Sequence, residues 1–329
     1  MSAQTIGVVL VNLGTPNAPT TNAVRRYLRE FLTDRRIVPM PPLVWRPILE
    51  AFVLTSRPRV SAQKYRSVWT DEGSPLLVHT MAQVTALRDR LDGIRVEAAM
   101  RYGQPGLFDV LDSLAGDIRH VLIVPMYPQF STTTVASVYD AVAAYMQSRG
   151  DQFEYRLVRS WGEDAAYIEA CAQRIEATWQ REGRPDVAAG DKVLLSYHGL
   201  PVAAVEAGDP YPVECVATTN LLRQRLGLDE ASCMMTYQSK FGRGEWLTPA
   251  TIDTMAALPA TGTRRVDVFC PGFAADCLET DEEIGLLNRD AFLGNGGQRF
   301  VRVPCLNDSA PWIGALEALI RRNIAGWID

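Results

Sequence analysis

Eight short apolar runs of five to seven residues, rich in β-branched side chains, recur along the chain between stretches of helical periodicity. They lie near 5–11 (TIGVVLV), 95–100 (RVEAAM), 121–126 (VLIVPM), 154–159 (EYRLVR), 192–197 (KVLLSY), 233–237 (CMMTY), 265–270 (RVDVFC) and 299–303 (RFVRV). Runs that stay apolar on successive residues belong to strands covered on both faces. Strands that alternate with helices pair in parallel, because a parallel crossover needs the helix. The pattern predicts an α/β chain with two similar halves, each a four-stranded parallel sheet flanked by helices. A length of 329 residues suits two domains, each with a sizeable core. The boundary is expected near 160–165, giving an N-terminal domain over 1–162 and a C-terminal domain over 163–309. The last helix, within 310–329, is expected to pack back on the first half. A faint internal echo agrees: VLVNLGTP (9–16) and LLSYHGLP (194–201) are both strand, short turn, Gly, x, Pro, with Leu13 opposite His198.

A hydrophobic content of 47% and a charged content of 22% are those of an ordinary soluble globular protein, which excludes long disorder and collagen-like structure. The net charge of −5 is uneven. Residues 1–110 carry 14 Lys+Arg against 9 Asp+Glu, and residues 111–329 carry 19 against 29. The first part suits an anionic ligand or surface and the second a cation, unless both are merely solvated faces. The acidic balance argues against nucleic-acid binding. The six cysteines form no C-x-x-C pair, so neither a zinc ribbon nor a redox motif is present. The opening residues read as no signal peptide and no run is long enough to span a bilayer. A cytoplasmic protein with free thiols is expected.

Ligands in open parallel sheets bind beyond the carboxyl ends of the strands. Those ends read Asn12-Leu13-Gly14, Arg101-Tyr102-Gly103, Tyr127-Pro128-Gln129, Trp161, His198-Gly199, Gln238-Ser239-Lys240, Gly272-Phe273 and Asn307-Asp308. The mixture of aromatics, amides, one Arg and one His suits a large, flat, apolar ligand with a few polar groups. The usual dinucleotide, P-loop, zincin and hydrolase signatures are missing. Of the three histidines, His79 falls in a helical stretch and His120 precedes a strand, at the opposite edge of the sheet. His198 alone stands where a reacting group would. In 271–284 (PGFAADCLETDEEI), five acids fall within eight residues, and on an α-helix Asp276, Glu279 and Glu283 share one face. That stripe reads either as a dipole-stabilised first turn or as a cation path or proton relay. The proline-broken apolar segment 37–54, with Trp45 and Phe52, reads either as core packing or as a lip over a cleft that touches a membrane.

SYHGLP (196–201), GDPYPVEC (208–215), TYQSKFGRGEWLTP (236–249), CPGFAADCLET (270–280) and PCLNDS (304–309) resemble the ferrochelatase family, closest to its soluble bacterial form. So do VNLGTP (11–16), EGSPL (72–76), MRYGQP (100–105) and PMYPQFSTTT (125–134), in colinear order over nearly the entire chain. The resemblance implies two Rossmann-like domains of the type II chelatase fold with a porphyrin in the cleft between them. It implies insertion of ferrous iron into protoporphyrin IX, giving protohaem at the end of haem synthesis. It places the family's active-site His at His198 and its Glu at Glu279, with Glu283 and Asp276 along an acidic path. Leu13, Tyr102, Tyr127, Trp246 and Phe273 are then expected against the porphyrin, and Arg101 and Ser239 at a propionate.

A free-base porphyrin must lose two pyrrole protons and gain a divalent cation, and bending the ring exposes its nitrogen lone pairs. A neutral imidazole or a carboxylate can take the proton or ligate Fe²⁺, so His198 and Glu279 are candidates for both tasks. Many relatives have His where this chain has Cys277, a weaker base. At the position of an internal cluster ligand the chain has Thr132. It also lacks a cysteine-rich C-terminal extension, so no [2Fe–2S] cluster, no bound prosthetic group and a monomer are expected, with Fe²⁺ as substrate. Alternatives within the fold are a coproporphyrin ferrochelatase or a cobaltochelatase on a corrin precursor. From other classes come a non-catalytic porphyrin or haem carrier and a two-lobed substrate-binding protein.

Overall fold

A computed structural model describes residues 5–150, 153–240 and 244–327. Phe241, Gly242 and Arg243, inside the TYQSKFGRGEWLTP segment, lie outside the described residues. Eight strands form: β1 (Ile6–Thr15), β2 (Ile94–Gly103), β3 (His120–Pro125), β4 (Glu154–Leu157), β5 (Lys192–His198), β6 (Cys233–Gln238), β7 (Arg265–Phe269) and β8 (Arg299–Arg302). They make two four-stranded sheets, ordered β2-β1-β3-β4 and β6-β5-β7-β8, with every pairing parallel. The chain is therefore α/β with two flanked parallel sheets, as the apolar runs predict. Val8, Val9, Leu10 and Val11 are all fully buried, which is why that run shows no polar alternation.

Two compact units divide the chain. The first takes residues up to 159 together with those from 316 onward, and the second takes 160–315. The division falls inside the last helix, Ala310–Asn323. Within the first unit, Arg321 donates to the carbonyl of Arg90 at 2.9 Å and Arg156 to that of Asn323 at 2.7 Å, fixing the end of the chain beside the sheet. Its core packs Val9, Val11 and Ile123 against Leu111, Val138 and Tyr145. The core of the second unit packs Leu194, Val266 and Val268 against Met255, Ile284 and Phe292. Each fully buried Val or Leu contributes roughly 1.5–3 kcal/mol.

Both sheets share one order, so β1 and β5 hold the same place. The sequence echo between VLVNLGTP and LLSYHGLP thus falls on topologically equivalent strands. In each, the chain leaves the central strand to one side and later returns to the other, which opens a crevice at that strand's carboxyl end. His198 closes β5 at such a point.

Three expectations change. β1 and β2 run on to Thr15 and Gly103, so Leu13, Arg101 and Tyr102 are part of strands rather than beyond them. Segment 37–54 is irregular through Pro39 and Pro41 but helical from Pro42 onward, with Pro47 inside the helix. Pro42–Ile48 is α-helical, Leu49–Val53 is a π-helical turn, and Leu54–Val68 continues as α-helix. Pro42 sits in the first turn, where a missing N–H costs nothing. Leu43 is 92% and Phe52 71% exposed, so core packing does not explain these side chains. The acidic segment is a π-helix, Glu279–Asn288, and Asp276 precedes it rather than sharing its face.

Gly14, in the VNLGTP segment, is required by backbone approach. It has φ +108°, and a Cβ there would lie 1.7 Å from the carbonyl oxygen of Tyr102 on β2. Gly14→Ala is expected to lower unfolding free energy by at least about 3 kcal/mol, read as a drop in the urea midpoint at unchanged m-value. A loss below ~1 kcal/mol would mean that β1 and β2 can separate there without penalty.

Candidate functional site

The second unit gathers His198, Ser239, Trp246, Glu279 and Glu283 around the carboxyl ends of β5 and β6. His198 is partly buried, and its Nδ1 lies 2.7 Å from the carbonyl oxygen of Gly199. A carbonyl only accepts, so Nδ1 carries the proton and, in the neutral ring, Nε2 presents its lone pair. Trp246 forms an antiparallel bridge with Pro201, and its ring edge would stand 3.2 Å from a Cβ on Gly199. The indole therefore lies next to the His198 turn, and Gly199 is needed there for the close approach of the Gln238 carbonyl oxygen, which would stand 2.7 Å from a Cβ.

Glu283 receives two hydrogen bonds from one residue. The Ser239 main-chain N–H donates to one carboxylate oxygen at 2.6 Å and the Ser239 hydroxyl to the other at 2.5 Å. To make both, Ser239 adopts a left-handed conformation, φ +67°, which a non-glycine residue reaches only at an energetic cost. Burial pushes the Glu283 carboxyl up. The Ser239 bonds and the nearby His198 pull it back down, and the charge of Glu279 pushes it up again. His198 and Glu279 thus each lie within electrostatic reach of Glu283. Ser239 was expected at a substrate propionate; its hydroxyl is committed instead to Glu283.

Asp276 does different work. It is 4% exposed and accepts from Arg302 at 2.7 Å, Asn307 Nδ2 at 2.8 Å, Thr280 at 3.1 Å and the Cys305 N–H at 3.2 Å. Burial raises its pKa, but Arg302, Asn307 and Cys305 outweigh that and leave it below the usual carboxylate range. A carboxylate so fully engaged anchors the chain and is not open to a passing cation. Among the described residues no three His, Cys, Asp or Glu side chains converge as a ready-made metal site. Cys277 is buried, and burial first, then the Glu279 charge, pushes its thiol up, so it is no base at neutral pH. Phe273 is partly buried and packs on the core of its unit.

In the first unit, Leu13 and Tyr127 stand at the carboxyl ends of the neighbouring strands β1 and β3. The Tyr127 hydroxyl is buried with no hydrogen-bond partner among the described residues. Tyr102 is 1% exposed, a core residue rather than a surface for a ligand, and its hydroxyl donates to Asp34 at 2.7 Å. Arg101 commits Nη2 to Asp34 at 2.7 Å and Nε to the Ser137 hydroxyl at 2.8 Å. Its Nη1 and the second N–H of Nη2 are left for an anionic group. Asp34 and Ser137, which hold Arg101, went unread in the sequence because they lie 67 and 36 residues away from it. His120 opens β3 at the opposite edge, its ring tilted at 35° against Trp327, and His79 lies within the helix Pro75–Arg88.

The chain matches the ferrochelatase family model over residues 5–324 and belongs to that family. Family and fold together define a metal chelatase of the tetrapyrrole type. Among solved structures it is similar to SirB from Bacillus subtilis with Fe3+, at 10% identity and a TM-score of 0.58, covering 98% of this chain and 96% of that one. The sirohydrochlorin chelatase SirB from Bacillus subtilis subspecies spizizenii, in complex with cobalt, matches at 9% identity and a TM-score of 0.54, over 98% and 97%. DR2241 from Deinococcus radiodurans, a multi-domain protein with structural similarity to chelatases, matches at 13% identity and a TM-score of 0.51. That match covers 96% of this chain and 55% of DR2241. At these identities the likeness is one of fold.

Asp281 makes the site pH-sensitive. Burial and the neighbouring Asp276 charge, partly offset by Arg302, push its carboxyl up to about 6. A carboxyl raised in the folded state favours folding while protonated. That contribution is complete below the unfolded value of about 4 and lost as the pH climbs through about 6. Asp281→Asn should therefore raise the melting temperature at pH 7.5, with the difference vanishing toward pH 4. An equal difference at both pH values would assign the effect to something other than this ionisation.

Proposed function

We propose that this chain inserts ferrous iron into protoporphyrin IX, yielding protohaem. The observation that carries the reading is the Gly199 carbonyl against His198 Nδ1, which leaves Nε2 as an oriented lone pair with the Glu283 carboxylate within electrostatic reach. As the metal enters, each pyrrole proton needs an acceptor and the incoming cation needs a transient ligand. His198 and Glu279 meet both needs, and Glu283, clamped by Ser239, adds a negative charge that favours a cation or an imidazolium. Trp246 and Phe273, on the same unit as His198 and Glu279, offer apolar contact to the ring. Leu13, Tyr127 and the uncommitted N–H groups of Arg101 are the first unit's own candidates for apolar and anionic parts of a ligand. In this reading Asp276 is a scaffold, not a station on the metal path. The protein works as a cytoplasmic monomer with no iron–sulfur cluster, and Fe²⁺ is its substrate.

The exposed segment supports a second element of the proposal, peripheral contact with an anionic bilayer. Leu43, Val44, Ile48, Phe52 and Val60 are exposed, and residues 35–66 carry seven Lys and Arg against one acid, Glu50. No helix among the described residues is long and apolar enough to cross a membrane, so any contact would be at the surface.

Purified protein mixed with protoporphyrin IX and anaerobic Fe²⁺ or Zn²⁺ should accelerate metallation, followed by the porphyrin absorption bands. Faster turnover of coproporphyrin, or of a corrin precursor with Co²⁺, would redirect the substrate assignment, and no acceleration of any would sink it. His198→Ala should lose at least ~100-fold in rate and Glu279→Gln a comparable factor. Near-normal turnover of His198→Ala would remove the imidazole from the chemistry. Co-sedimentation with phosphatidylglycerol vesicles should fall when Leu43 and Phe52 are both changed to Ser. Equal pelleting of both proteins would dismiss the membrane contact.

A further inference from the structure

We infer that Gln238 is a positioning residue that holds His198 and Glu279 in register with each other, a role that rests on the reading of those two side chains given above. Gln238 ends β6 and is 2% exposed, with both ends of its carboxamide in use. Nε2 donates to the main-chain carbonyl of Glu279 at 3.0 Å. Oε1 accepts from the Ser196 hydroxyl on β5 at 2.8 Å and from Cys270 Sγ, just past β7, at 3.6 Å. Because the Glu279 carbonyl only accepts, its partner must be the amide nitrogen, and the side chain has one permitted orientation. The main chain adds a further tie: the carbonyl of Gln238 accepts from the Gly199 N–H at 2.7 Å.

These bonds bracket His198. Ser196 lies two residues before it and Gly199 one residue after, and both are tied to Gln238. The same side chain grips the first residue of the π-helix. A helix with i→i+5 bonds is the less favoured alternative to the α-form, and a shift of one residue along it would swing Glu279 to another face. Gln238 holds the start of that helix from outside, and Asn288 Nδ2 holds the Glu283 carbonyl at its far end, at 2.8 Å. One buried amide thus transmits the position of β5 to the helix that carries Glu279.

Gln238→Met keeps the volume and removes all three side-chain bonds. In the full-length protein, amide hydrogen exchange across 279–284 should quicken about tenfold. kcat for Zn²⁺ insertion into protoporphyrin should fall about tenfold or more, with KM for the porphyrin within about twofold of wild type. Support requires both changes together with the unchanged KM. Unchanged exchange, unchanged kcat, or a loss confined to KM overturns the proposal. If Gln238→Met does not fold, Ser196→Ala, which unties the far side of the amide, is held to the same criteria. A wild-type chain that metallates nothing sinks the functional reading, and the exchange arm then decides the tie between Gln238 and the helix by itself.

Discussion

The arrangement of the second unit depends on one buried negative charge. The Asp276 carboxylate joins Arg302 at the end of β8, Asn307 in the loop that follows, and Thr280 in the first turn of the π-helix. Its own N–H donates back to Asn307 Oδ1 at 2.8 Å, so the two residues are locked in both directions. Leaving one partner of a buried ion pair uncompensated typically costs ~3–5 kcal/mol. Through Thr280 the same carboxylate ties down the start of the helix, whose first residue is Glu279. The nearest acids to the candidate metal-handling residues therefore divide into two kinds. Asp276 is saturated with donors and serves the fold, while the Glu283 carboxylate takes its hydrogen bonds from Ser239 and stays within electrostatic reach of His198.

The first unit uses the same device with different residues. One oxygen of Asp34 accepts from Arg101, Tyr102 and the Ser137 hydroxyl, all within 2.7 Å. Burial opposes the charge on Asp34, and these donors together with the Arg36 N–H overcome it. Each sheet thus has an arginine–carboxylate anchor near the carboxyl end of its strands. In both cases the anchor absorbs a residue whose charge looks available in the sequence: Arg101 in the first unit, Asp276 in the second.

The strands were legible because β1, β3, β5 and β7 are covered on both faces, and a run such as Val8–Val11 can do little else. The ends of β1 and β2 were not, because Asn12 and Arg101 look like loop residues until their partners Thr80 and Asp34 are known. The place of His198 at the end of β5 was legible from the apolar run that precedes it. The acidic stripe was misread because a period of 3.6 was assumed where the chain adopts i→i+5 pairing. No residue pattern announces that pairing. It is held by Gln238, 41 residues before Glu279 in the chain, and by contacts of Asp276 that reach 31 residues forward. Hydrogen bonds of such separation leave no local periodicity to read.

The division inside the last helix has a consequence for synthesis on the ribosome. The first unit includes residues from 316 onward, so the part of the chain translated first must wait for the part translated last. The 160–315 segment intervenes, and at typical elongation rates it takes on the order of 8–30 s to make. During that interval the β2-β1-β3-β4 sheet lacks the Arg156 contacts to Asn323 and Ala325 and the Arg321 contact to Arg90. The second unit, continuous in sequence, has no such wait. Nascent chains of this topology therefore complete their domains in reverse order of translation, and the N-terminal sheet is the one exposed longest to chaperones and proteases.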